Sequence, residues 1–222
     1  MGDERVSRAV WIAVAPAALW AICASVASAE AFELGPPKGD GPVVVDANFQ
    51  LRDINEIDDE EETFELSGVL TLRWRDPRRA FDPKEEGVDE KVYQGRYQFD
   101  EISTGWFPQV VLVNESGQYE KRGVILRVRP DGTSTLTEMI NTVAEASLDL
   151  RRYPFDRQRL EAVFEVLGTN KSEVVLRTEG SPVVPPGHTL HTPQWTLAAV
   201  DASVRDRTTS FAGRQSVASS LV

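Results

Sequence analysis

This sequence predicts an all-β domain, and three observations carry that expectation. Between residues 63 and 74, Phe64, Leu66, Gly68, Leu70, Leu72 and Trp74 alternate with Thr63, Glu65, Ser67, Val69, Thr71 and Arg73. That is a period of two, in which one face of a strand is buried and the other wet. Pro130-Asp131-Gly132 separates the apolar-polar stretch 124–129 from another beginning at Thr133, as a Gly-containing hairpin turn does. Beyond residue 29 no stretch sustains a 3.6-residue apolar period, so residues 43–222 should hold no helix longer than about two turns. A chain of 222 residues with 41% apolar content has enough material for a proper core.

Residues 1–29 read as a secretory signal. Arg5 and Arg8 precede an uncharged run from Ala9 to Ala29, and Ala27-Ser28-Ala29 offers an Ala-x-Ala cleavage site. An uncleaved anchor is the alternative, because about 18 apolar residues can span a bilayer; either way the domain is exported. Cys23, the only cysteine, lies inside this segment, and Ile22 before it does not suit a lipoprotein cleavage site. The exported part is therefore expected to have no disulfide and no thiolate metal site. Asp3, Glu4, Arg5 and Arg8 cancel, so that part keeps the whole net charge of −11. Such a charge argues against nucleic acid and anionic headgroups and favours cations as small partners.

Residues 30–42, with Pro36-Pro37 and Gly35, Gly39 and Gly41, form a flexible leader without period. A long first strand follows over residues 43–57 and ends at the turn-forming Asp58-Asp59. The acidic run Asp58-Asp59-Glu60-Glu61-Glu62 repels itself unless it is a solvated hairpin tip or faces a cation or basic partner. After the strand at 63–74 and the hairpin around Gly132, residues 160–166 alternate again, with Leu160, Phe164 and Val166 against Arg159, Glu161 and Glu165. A turn at Gly168-Thr169-Asn170, a short strand at Val174-Val175-Leu176 and a Pro-rich segment at 181–193 complete the reading.

Between two of these strands lies Asp149-Leu150-Arg151-Arg152-Tyr153-Pro154-Phe155-Asp156-Arg157-Gln158-Arg159-Leu160. Pro154 cannot donate to a ladder, so the chain turns here, and an aromatic residue before proline favours a cis bond. Phe155 occupies a tip where a hairpin facing only water carries Gly, Asn or Ser. It either folds back on its own domain or is covered by something apolar.

Aromatic-Pro-Phe-Asp-x-Gln at the centre of a strand-turn-strand loop resembles the signature loop of the pentameric ligand-gated ion channels, the Cys-loop receptor superfamily. Trp74-x-Asp76, Trp106-x-Pro108 and the later Asn114 resemble further motifs of that family, in the same order. In animal members two cysteines close the loop; their places fall here on Ala146 and Leu160, so the likeness is to the bacterial, cysteine-free branch, with packing and hydrogen bonds in place of the bridge. The resemblance spans nearly all of residues 43–222. It implies a twisted immunoglobulin-like β-sandwich of about ten strands, with residues 195–204 as the ninth, 205–213 as a loop capping the ligand site, and 215–222 opening an incomplete tenth.

It further implies the extracellular ligand-binding domain of a homopentamer in the cell membrane, exported to the periplasmic or extracellular side and coupled to its own pore domain of four membrane helices, which this chain lacks. The ligand would be a small molecule, a proton or a divalent cation. Its pocket would lie between subunits, at Val113 and Asn114, at Val166, Leu167, Gly168 and Thr169, near Arg205, and at Val69 of the neighbour. Coupling to the pore would fall to Asp58, Asp59, Tyr153, Pro154, Phe155 and Asp156. Asp59 and Asp156 match family carboxylates bridged by an arginine just before the first pore helix. Trp74 and Trp106 would be structural anchors.

Other chemistry finds little footing. His188 and His191, with Glu179, could seed a metal site, but Pro185, Pro186 and Pro193 forbid the helix that would bring two such imidazoles together, and solvent-exposed histidines fit better. No serine sits in a nucleophile elbow, and carboxylates are too common here to indicate glycosidase chemistry. No cofactor and no enzyme activity are expected. The rival readings are a freestanding exported binding protein of the same fold without a pore, and a sandwich hydrolase.

Overall fold

The strand with the cleanest alternation sits in the middle of the molecule. In a computed structural model describing residues 35–94, 105–153, 155–178, 195–211 and 214–222, β2 (Thr63–Arg75) is flanked by β1 (Val43–Asp58) and β6 (Thr133–Glu145), both antiparallel to it. These three belong to a six-stranded sheet of order β3-β5-β6-β2-β1-β8, where β3 is Lys91–Gln94, β5 Glu115–Val128 and β8 Val174–Arg177. A second sheet runs β4-β7-β10-β9, from β4 (Val110–Leu112), β7 (Phe164–Val166), β9 (Val204–Phe211) and β10 (Arg214–Leu221). The pairings are antiparallel except for β1 with β8. The expected β-sandwich of ten strands is present. Among the described residues, the only α-helix is the single turn Pro83–Glu86.

The core is the layer between the sheets. Phe64, Leu66, Leu70, Leu72 and Trp74 of β2 and Leu136, Ile140 and Ala144 of β6 face it, as a period of two requires. In β1 the inward face changes parity: Val45, Ala47, Phe49 and Leu51 are buried, then Ile54. Register shifts between Leu51 and Asp53 and between Ile54 and Glu56 are the cause, each bulge turning the following residues over. The Phe49 ring lies where Gly68 has no side chain and meets Phe164 of the opposite sheet at 5.1 Å between centroids. Trp74 and Trp106 meet edge to face at 6.2 Å, as structural anchors do.

Three element boundaries differ from the sequence-based expectation. β5 begins at Glu115 rather than near Val124, through a polar, mostly exposed stretch with two register shifts. Residues 160–163 alternate in burial but form no strand. Their backbone is bonded by a side chain instead of a ladder: Val163 N–H donates to Asn114 Oδ1, and Glu161 C=O accepts from Asn114 Nδ2. The ninth strand is Val204–Phe211, not 195–204, and it pairs with β10 along its whole length. The polar content that made 205–213 look like a loop belongs to an edge strand, where exposed Arg and Thr are tolerated.

The signal region, His188, His191, Glu179, Tyr97, Phe99 and Pro154 with its expected cis bond all lie outside the described residues.

Candidate functional site

The two loop groups assigned to ligand binding lie at opposite ends of the β4–β7 pair. Val113 N–H bonds Val163 C=O at 2.7 Å, whereas Leu167 N–H bonds Gln109 C=O at 2.8 Å. Along a strand rising about 3.3 Å per residue, the four steps from 163 to 167 separate them by about 13 Å. Val113 and Leu167 are exposed, Val166 points into the core, and Gly168 turns the chain with a φ of +73°. Thr169 donates its hydroxyl to Val166 C=O.

Asn114 is bound on all sides. Its Nδ2 donates to Glu145 C=O at 2.9 Å and to Glu161 C=O at 2.8 Å, and its Oδ1 accepts from Val163 N–H at 3.0 Å. It joins the end of β6 to the approach of β7. Asn114→Ala should therefore lower stability by about 2–4 kcal/mol, at roughly 1 kcal/mol per lost bond plus the exposed partners. A melting temperature unchanged by the substitution would leave ligand contact as its only role.

Arg205 stands at the foot of the β9–β10 hairpin, opposite Ser220, and not at its tip. Its guanidinium meets Glu161 at 3.3 Å, and Arg159 meets the same carboxylate at 3.2 Å. The neighbouring Glu165 is buried, accepting from Ser220 Oγ at 2.7 Å beside Arg207 at 3.3 Å. Val69 lies in the other sheet on its outward face, directly opposite Met139. Beside it an open groove of about 330 Å³ is lined by Arg52, Asn55, Glu65, Arg122, Met139 and Asn141. Both amides there donate to Glu65 Oε1 at 3.0 Å.

The coupling residues converge better. Asp58 caps the β1–β2 turn, accepting from the N–H groups of Glu60 and Glu61 at 3.0 Å. The turn ends with Glu62 at a φ of +52°, and Glu62 C=O accepts from Ala146 N–H at 2.7 Å. The acidic tip is thus tied to the start of the loop that carries Tyr153, Phe155 and Asp156. Asp149 caps the 3-10 turn Leu150–Arg152, and hydrogen bonds from Arg151 hold its carboxyl below the usual range. Beyond that turn Tyr153 is 66% exposed and Phe155 89% exposed, while Asp156 is half-buried. Ala146 and Leu160, standing where animal receptors have cysteines, pack against the core. Among the described residues no group of three or more His, Cys, Asp or Glu could hold a metal, the acidic tip included.

Residues 31–219 match the family described as the neurotransmitter-gated ion-channel ligand binding domain. The chain belongs to this family. It is 34% identical over 144 residues to a proton-gated ion channel of Gloeobacter violaceus, an alignment covering 65% of this chain and 38% of the relative. It is 26% identical over 171 residues to a gamma-aminobutyric acid receptor subunit beta-4 of Gallus gallus, covering 74% and 33%. It is 27% identical over 190 residues to a pH-sensitive chloride channel 2 of Anopheles gambiae, covering 79% and 30%. The chain spans about a third of the length of these curated relatives. The family is one of membrane channels and not of enzymes. Among the described residues no helix is long and apolar enough to cross a membrane.

Two features of this ligand-binding domain were not read from the sequence. Glu138 sits on the buried face of β6 with one oxygen on Lys121 Nζ at 2.9 Å. Burial first, then the charges of Glu138 and Glu115, push the nearby Tyr119 hydroxyl up. The inward position of Glu138 follows from the same period-two count that placed Leu136 and Ile140. Gln158 clasps the loop, and only its place in the Pro-Phe-Asp-x-Gln motif marked it.

Proposed function

We propose that this chain is the extracellular domain of a pentameric channel of the cysteine-free branch and converts an extracellular signal, a small ligand or a proton, into opening of a pore. One observation carries the reading. Phe155 and Tyr153 stand out from a loop tied by backbone to an acidic hairpin tip, so a large apolar ring and carboxylates share one end of the domain. An exposed aromatic pair rimmed by charge suits docking on a membrane-embedded partner. Opening is then a population shift, biased by whichever quaternary arrangement binds the signal better. The sequence following Val222 in the gene tests this: four apolar spans of about 20 residues support it, and their absence would favour a freestanding binding protein.

The ligand surface in this reading combines Val113, Asn114, Val166, Leu167, Gly168 and Thr169 of one subunit with Val69 and its groove on the next, Arg205 fixing the edge. Val69 and Val113 stand where amine-binding relatives carry rings, and residues 166–171 contain no aromatic. Each missing ring forfeits about 0.5–2 kcal/mol of cation–π attraction. Choline-like amines should therefore bind weakly or not at all, and micromolar binding by calorimetry would contradict this.

A further inference from the structure

We propose that Gln158 is the latch that sets the shape of this loop and the positioning residue for Asp156. Its positioning role rests on the coupling function just proposed; the latch itself does not. Gln158 lies nine positions from Asp149, yet its amide closes both backbone groups of that residue: Oε1 accepts from Asp149 N–H at 2.9 Å, and Nε2 donates to Asp149 C=O at 2.9 Å. The second Nε2 proton goes to Asp156 Oδ2. A single primary amide, with two donors and one acceptor in use, thus fixes the neck of the loop and the orientation of the carboxylate beyond its tip.

The rest of the segment depends on that anchor. With Asp149 held, its side chain caps the 3-10 turn and pairs with Arg151, Tyr153 N–H returns to Leu150 C=O at 3.0 Å, and Phe155 N–H to Arg152 C=O at 2.8 Å. The exposed aromatics are presented by a ring of hydrogen bonds whose two ends meet at Gln158. Hydrophobic burial does not hold this shape, since Leu150, Tyr153 and Phe155 are all exposed.

Amide hydrogen exchange on the full chain tests the latch. Gln158→Ala should accelerate exchange of the Asp149 N–H by about tenfold, two bonds to one segment being lost, while core amides of β2 and β6 keep their protection. Gln158→Glu sets a second carboxylate against Asp156 and should also accelerate it. Adding Asp156→Asn to Gln158→Glu reverses the donor and the acceptor of that bond and should bring the Asp149 rate back to within about twofold of wild type. A merely structural polar residue would not give that rescue. The proposal is overturned if Gln158→Ala leaves the Asp149 rate within about twofold of wild type, or if the exchanged pair is no slower than Gln158→Glu alone. Exchange does not depend on a pore, so a latch confirmed this way stands even if Asp156 proves idle in gating; in that case only the coupling role falls.

Discussion

In a pore-bearing form of this protein, Asp156→Asn is expected to cut channel opening by about tenfold to a hundredfold while surface expression stays normal. The magnitude is that of losing a charge-assisted contact of about 1.5–3 kcal/mol from one side of the open–closed equilibrium. The separation from folding follows from the geometry. The substituted amide keeps an oxygen to accept from Gln158 Nε2, fills the same half-buried volume and leaves the Asp149 anchor untouched. Its stability cost should be no more than about 1 kcal/mol.

Only the charge is removed, and the bond that Asp156 makes within the domain is to an uncharged amide. A carboxylate whose charge is not consumed by its own fold, placed next to two exposed aromatics, is suited to meet a cation supplied from beyond the domain, as the family resemblance implies. The competing account is that Asp156 serves only to receive the Gln158 amide. Then the Asp156→Asn channel should conduct as wild type does. Expression and current measured on the same cells decide between them: normal current from normally expressed channels removes the coupling role.

How much could be read in advance depended on the range of the interactions. β2 was legible because twelve residues of strict alternation leave one arrangement, and the hairpin at Gly132 because its turn residues are local. The parity change in β1 was not, since a bulge leaves no mark in composition. β9 was hidden by its own edge position, where the residues a loop would carry are permitted. Asn114 could be aligned with a family motif but not given a task, because its partners are 31 to 49 positions away. The separation of about 13 Å between Val113 and Leu167 is likewise a property of strand register, which the two loops do not record.

The largest loss of stability is expected from Gly132→Ala, at about 3–5 kcal/mol. Gly132 has a φ of +81°, in the left-handed region where an L side chain costs about 1 kcal/mol or more. The second contribution is steric: a Cβ there would fall 2.2 Å from Asp76 C=O oxygen and 3.0 Å from its carbon. That backbone cannot step aside. Asp76 N–H donates to Gly132 C=O at 3.1 Å, and its buried carboxylate receives Arg78 Nε and Nη2 at 2.8 and 2.7 Å. Overlap with so fixed a neighbour costs about 1–3 kcal/mol by itself. For a domain of this size the melting temperature should fall by about 6–15 °C. Gly132→Asn separates the two causes, because Asn tolerates the left-handed region but carries the same Cβ. If the overlap dominates, Asn is as damaging as Ala; if the backbone angle dominates, Asn recovers most of the loss. A melting temperature within about 2 °C of wild type for the alanine variant would mean that the β5–β6 turn is not locked to the Asp76 corner.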